Sequence, residues 1–319
     1  MKSNKEFPLL LKKSLLFLVI LLIILFSINE LYISYVLPKT YISRSEESYA
    51  NYLDCLMGNG IQNAFFGDSH VVNAINPEYI PNTFNFGTPG ENYIKTYYRL
   101  ERILDNEDVV IKRVFIQLDF HSFSSYMNGE AYFIGDSLWY YHKLIPLQVI
   151  QEISKKSFLS LFIESKFPVI GNAAHFSYIF NGKPIEVKKG WVNHSGDFSR
   201  NSETQRIQIS TMRFNQLFVN EEIIDLRSKK YFKKIINLSK EHNVTLFFVR
   251  YPISSYFYER VINNFSEKNF EIDFNQKNFL DYGDLFLENP EFFTDSDHLN
   301  YLGAENISRR ITSDLNLTL

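Results

Sequence analysis

An unbroken apolar run from Leu15 to Phe26 constrains the start of this chain more than any other feature. The run continues through Ile28 and, past Asn29 and Glu30, into Leu31-Tyr32-Ile33 and Tyr35-Val36-Leu37. A helix from Lys13 to Tyr35 is long enough to cross a hydrocarbon core of about 30 Å. Asn29 and Glu30 then fall toward its far end, where polar groups reach the interface. Lys2, Lys5, Lys12 and Lys13 precede the run, and the positive-inside bias leaves the N-terminus in the cytoplasm, with everything after Leu37 outside. A cleaved signal peptide calls for a small-residue site after the run, and none is present. A buried core helix competes, but the run is apolar on all faces and terminal. Residues 1–37 therefore predict a cytoplasmic tip and an uncleaved single-pass anchor.

The rest has the composition of an ordinary globular protein, 45% hydrophobic and 22% charged, enough for a sizeable core. A net charge of −3 and the lack of a basic stripe give no support for a nucleic-acid partner, and none is expected. Cys55 is the single cysteine, so no internal disulfide forms, and a small buried hydrophobe is the expected role.

Residues 38–60 read as a polar link, and 61–319 as one domain. Ala64-Phe65-Phe66, Phe84-Asn85-Phe86 and Val114 to Leu118 read as short strands, and Glu91 to Leu104 as a helix by its apolar spacing. Later come a helix ending near His242, a strand over Val244 to Val249, a helix through Tyr258 and Phe265, a short strand over Glu271 to Phe274, and a C-terminal helix through Ala304, Ile307, Ile311 and Leu315. Strands alternating with helices predict a parallel sheet with helices on both faces. Residues 122–225 fit this scheme poorly and read as an insertion over the sheet. Within it, Phe158 to Ile163 is apolar enough for a core helix or a lid.

Gly67-Asp68-Ser69-His70 stands where the first strand ends. A serine there is exposed at the carboxyl edge of a parallel sheet, where open α/β folds bind ligands. The tripeptide alone is weak, since Gly135-Asp136-Ser137 repeats it, although that copy lacks a glycine-bearing strand end after it. Asp295-Ser296-Asp297-His298 precedes the C-terminal helix. A histidine there can take the proton of Ser69, and an aspartate three residues earlier can hold its other ring nitrogen. Asp297 is the rival orienter. Asp119 and His121 could join Asp68 and His70 at a metal, but such pairs are common and the expectation is no metal.

The early Gly-Asp-Ser, the glycine after the second strand (Gly87) and the late Asp-x-x-His together resemble the SGNH/GDSL hydrolase superfamily. The likeness covers Ala64 to Leu315 apart from the insertion. With the N-terminal anchor, the chain looks like the members that add or remove acyl groups on cell-surface polysaccharide. The resemblance implies a three-layer flavodoxin-like sheet, Ser69 as nucleophile, His298 as base and Asp295 as orienter. It also implies backbone N–H groups of Ser69 and Gly87 in an oxyanion hole, and no cofactor. Acetyl is the acyl group it suggests, and a polytopic membrane acyltransferase a partner that would deliver it. One departure stands out. The family's Gly-x-Asn-Asp block after the third strand is here Gln117-Leu118-Asp119-Phe120-His121. Its oxyanion amide is missing, Asp119 as an anion would repel the charge, and Asn85, Asn92 or Gln117 would have to substitute. A catalytically silent binding or export-complex domain, or a lipase, are the competing readings.

Overall fold

In the computed structural model, which describes residues 6–55, 61–106, 110–128, 135–171, 185–218, 225–264 and 278–317, the apolar run forms one continuous helix, α1 (Glu6–Tyr35). It is long and apolar enough to cross a membrane. Its side chains from Leu11 to Phe26 are almost all exposed, whereas Asn29 and Tyr32, toward its C-terminal end, and Val36 just beyond it are buried.

The link expected over 38–60 is structured where it is described. A short 3-10 turn (Leu37–Lys39) leads into α2 (Tyr41–Cys55). Its charged residues explain why it reads as a link, and its partners explain why it folds. Glu46 accepts from Arg102 at 2.8 Å and from the Tyr140 hydroxyl at 2.7 Å. The Tyr41 hydroxyl lies 2.9 Å from both the Gly87 and Gly190 carbonyl oxygens.

The sheet has five strands: β1 (Asn63–Phe66), β2 (Thr83–Asn85), β3 (Arg113–Gln117), β4 (Thr245–Arg250) and β5 (Phe279–Asp281). All pairs are parallel, in the order β2-β1-β3-β4-β5, one of the two common doubly wound orders. Phe65 pairs with Phe115 and Phe115 with Phe247, so their rings stack across three strands at 4.1 and 5.0 Å. Alternate side chains fill two cores. Ala64, Phe66, Val114, Ile116 and Phe248 meet α4 (Tyr93–Leu104) and α9 (Leu226–Glu241) on one face. Phe65, Phe115 and Val249 meet α3 (Ser69–Ala74) and α11 (Tyr301–Asp314) on the other. Each fully buried Phe contributes about 1.5–3 kcal/mol of transfer free energy.

The stretch read as an insertion adds helices and no strand to the sheet among the described residues: α5 (Gly135–Tyr141), α6 (Leu147–Ser154), α7 (Phe158–Lys166) and α8 (Glu203–Leu217). A capping box starts α8, the Ser202 hydroxyl accepting from Gln205 N–H while the Gln205 side chain accepts from Ser202 N–H. α8 packs on α10 (Ser255–Asn264). The strand expected at Glu271 to Phe274 lies outside the described residues. The last strand is instead β5, three residues with no alternation to reveal them.

Candidate active site

The chain goes one way from β1 to β2 and the other way from β3 outward, so a crevice opens at the carboxyl ends of β1 and β3. Two loops meet there. Gly67 makes the first turn possible, because a Cβ at this position would collide with the Gln117 amide and Val71. Asp68 caps α3 by accepting from His70 N–H at 2.8 Å, which fixes Ser69 as the first helical residue.

The second loop runs from Phe293 to Asn300. Phe293 and Leu299 form an antiparallel bridge, and Thr294 N–H donates to the His298 carbonyl at 2.8 Å. Asn300 caps α11 through its Oδ1, while its Nδ2 donates to the Gly196 and Glu291 carbonyls. Asp295 Oδ1 accepts from the backbone N–H of Asp297 at 3.0 Å and of His298 at 2.9 Å. Both of its oxygens also lie 3.0 Å from His298 Nδ1. His298 Nε2 in turn lies 2.8 Å from Ser69 Oγ. The network assigns the proton to Nδ1 and leaves the Nε2 lone pair facing the hydroxyl.

Ser69, far in sequence from Asp295 and His298, is thus in one hydrogen-bonded line with them. Of the two aspartates, Asp295 is nearer to Nδ1, with Asp297 Oδ1 at 3.6 Å. Ser137, the other Gly-Asp-Ser serine, lies in α5 and accepts from Lys95 Nζ at 3.1 Å; it does not line the Ser69 cleft.

Beneath the line lies a buried ionic layer. His70 directs Nδ1 at Asp119 Oδ2 (2.9 Å) and Nε2 at Asp297 Oδ2 (3.1 Å). Two acceptors on two ring nitrogens require both to carry protons. Burial opposes that charge, but Asp68, Asp119 and Asp297 raise the His70 pKa well above its ordinary value. The His121 Nε2–H donates to Asp68 Oδ2 at 2.7 Å, and Arg213 of α8 donates to Asp297 Oδ2 at 2.7 Å. Burial pushes the Asp297 carboxyl up, yet His298, His70 and Arg213 hold it well below the carboxylate range; His70 and His121 do the same for Asp68. Ligand atoms of Asp68, His70 and His121 lie within 4.8 Å of one another, compact enough for a metal. Each is engaged here in an imidazole–carboxylate bond.

Asp119 belongs to this layer and does not point at the nucleophile. Its Oδ1 accepts from Tyr251 N–H at 2.8 Å and its Oδ2 from Gln117 Nε2 at 2.7 Å. The expected oxyanion donors are largely committed elsewhere. Gly87 N–H donates to Asn85 Oδ1 at 2.8 Å, and Asn85 Nδ2 serves the Val71 and Ile75 carbonyls. Asn92 Nδ2 donates to the Met127 carbonyl at 3.0 Å, and Gln117 Nε2 is taken by Asp119 while its Oε1 accepts from Asp68 N–H at 2.6 Å. The Ser69 N–H alone fits the expectation, since the first residue of a helix has no intrahelical acceptor.

Three side chains of the site carry no local sequence signal. Asn73, one turn beyond Ser69, is buried, lines the same cleft and has an Oδ1 without a partner. His194, from the insertion, also lines it; burial and the nearby His298 push its pKa down. Arg213 arrives from α8, distant in sequence. The cleft has a volume of about 310 Å³, and no residue of α7 lines it. The apolar Phe158 to Ile163 run is therefore no lid in this structure.

The fold and site define an all-parallel α/β protein with a Ser–His–Asp constellation at the carboxyl edge of its sheet. No family model matches the chain, and no curated protein matches it in sequence.

Proposed function

We propose that this chain is a serine acyl esterase or O-acyltransferase of the SGNH/GDSL kind, held by α1 in a membrane with its domain on the extracytoplasmic side. The observation that carries the reading is the pair of distances at His298, 2.8 Å to Ser69 Oγ and 3.0 Å to Asp295. In the proposed reaction His298 Nε2 takes the Ser69 proton as Oγ attacks an ester carbonyl, and Asp295 stabilises the imidazolium. The protonated His298 then gives its proton to the departing alkoxide. Water or a sugar hydroxyl, deprotonated by His298, attacks the acyl-serine and restores the hydroxyl. In this reading the tetrahedral oxyanion is received by Ser69 N–H and by the Nδ2 of Asn73, whose side chain lines the cleft. Surface polysaccharide as acceptor or substrate, acetyl as the acyl group and a polytopic acyltransferase as its supplier rest on the resemblance.

A second reading, a silent binding domain, is favoured by the engagement of Gly87 N–H with Asn85. A fluorophosphonate probe separates the two. A single adduct on Ser69, absent in Ser69→Ala and weakened in His298→Ala, supports the enzyme. Folded protein that takes no adduct supports the silent domain, and an adduct on Ser137 would move the site to the other copy of the motif.

A further inference from the structure

The insertion carries a helix with an inverted surface. α7 turns Leu161 and Ser165 inward and leaves Phe158, Leu159, Phe162 and Ile163 between 39% and 67% exposed. Ile170, just beyond, is 49% exposed. Water-facing helices place polar residues at such positions, and contiguous exposed apolar patches mark binding surfaces.

The position of α7 identifies what covers it. Its C-terminal end is docked on α1: the Phe167 and Phe26 rings meet edge-on at 5.0 Å, and Asn29 Nδ2 donates to the Lys166 carbonyl at 3.2 Å. Val169 closes a small core with Tyr32, Val36 and Leu37. The charges that bracket the apolar stretch of α1 are Lys13 and Glu30. At 1.5 Å per residue they are about 26 Å apart, close to the hydrocarbon thickness of about 30 Å. Glu30, which is exposed, then marks the outer headgroups, and Phe26 lies about 6 Å deeper. The end of α7 that touches Phe26 is at the boundary between headgroups and acyl chains. Its exposed stripe ends at Ile163, one turn before the Phe167 that meets Phe26, and the exposed Lys155 and Lys166 flank it, suited to phosphate headgroups.

We infer that α7 is an interfacial helix that lays Phe158, Leu159, Phe162 and Ile163 into the outer leaflet beside the anchor. The inference rests on the reading of α1 as membrane-spanning, and the test separates the two. Full-length protein with Cys55→Ser is reconstituted into phosphatidylcholine–phosphatidylglycerol vesicles, with one cysteine reintroduced and labelled with a polarity-sensitive fluorophore. Leu159→Cys reports on α7, Phe17→Cys on α1, and Asn306→Cys on the exposed side of α11 across the sheet. The expected result is emission at 17 and 159 that drops by about half with lipids spin-labelled in the acyl chain, shallow labels acting best at 159, while 306 is unaffected. Quenching at 17 without quenching at 159 would overturn the interfacial helix, leave the anchor standing and hand the apolar stripe to a protein partner. No quenching at 17 would overturn the anchor and the inference with it.

Discussion

His70 Nε2 stands 3.1 Å from Asp297 Oδ2, while the next residue after Asp297 is His298, whose Nε2 stands 2.8 Å from Ser69 Oγ. The residue after Ser69 thus supports the residue before His298. The two loops of the site are cross-braced beneath the chemistry, through groups that do not themselves react.

Replacing that brace should cost stability more than chemistry. His70→Gln leaves the buried Asp119 without its cation, while Asp297 keeps Arg213, and an uncompensated buried charge typically costs about 3–5 kcal/mol. Urea denaturation of wild type and variant would measure it. A variant as stable as wild type would mean that the layer carries no net charge coupling.

The same residue predicts a pH signature. His70 has a folded pKa well above its ordinary value, so its contribution is complete below the unfolded value of about 6.5 and is lost as pH rises through the folded pKa. Asp68 and Asp297 are depressed; their contribution is present above the unfolded value of about 3.9 and is lost as pH falls through their folded pKa. Melting temperatures across pH should fall on both sides of neutrality for wild type, and the wild-type advantage over His70→Gln should shrink on the alkaline side. An advantage that grows with pH would contradict the imidazolium.

Asp295 and Asp297 should separate by phenotype. Asp295→Asn removes the orienter of His298 and should lower turnover of an activated acetyl ester by about 10²–10⁴-fold with the melting temperature nearly kept. Asp297→Asn removes the negative charge that pairs with both His70 and Arg213 and should lower the melting temperature first. Reversed outcomes would make Asp297 the orienter.

Asn73→Ala tests the second oxyanion donor. Loss of one such donor typically lowers kcat by about 10²–10³-fold with little change in KM. An unchanged kcat would return the role to backbone groups.

Gly67→Ala tests the turn. The added methyl meets the Gln117 amide, which itself receives the Asp68 N–H. Overpacking of this kind costs about 1–3 kcal/mol, and fluorophosphonate labelling of Ser69 should fall with it.

The parts of this fold that are legible in sequence are those whose causes are local. β1, β3 and β4 are apolar runs ended by Gly67, Asp119 and Pro252, and α4 and α11 show their buried faces in their spacing. Asp295 and His298 are three residues apart, so their contact is nearly intrinsic to the loop. What was hidden depends on distant partners. α2 is polar enough to read as a link until Arg102 and Tyr140 are placed beside Glu46. Arg213 reaches Asp297 only because α8 folds back from the insertion. Gly87 sits where a donor is expected, but Asn85, two residues earlier, takes its N–H, a competition that motif spacing does not register.

The Tyr41 hydroxyl, shared between the Gly87 and Gly190 carbonyls, pins the segment leaving the membrane helix to the strand end beside the cleft. There is no slack leash between α1 and the cleft. With α1 in a bilayer, the cleft would be carried at one fixed height and sweep a plane as the protein diffuses laterally, and a polysaccharide substrate of the proposed reaction would have to be threaded or grown through that plane.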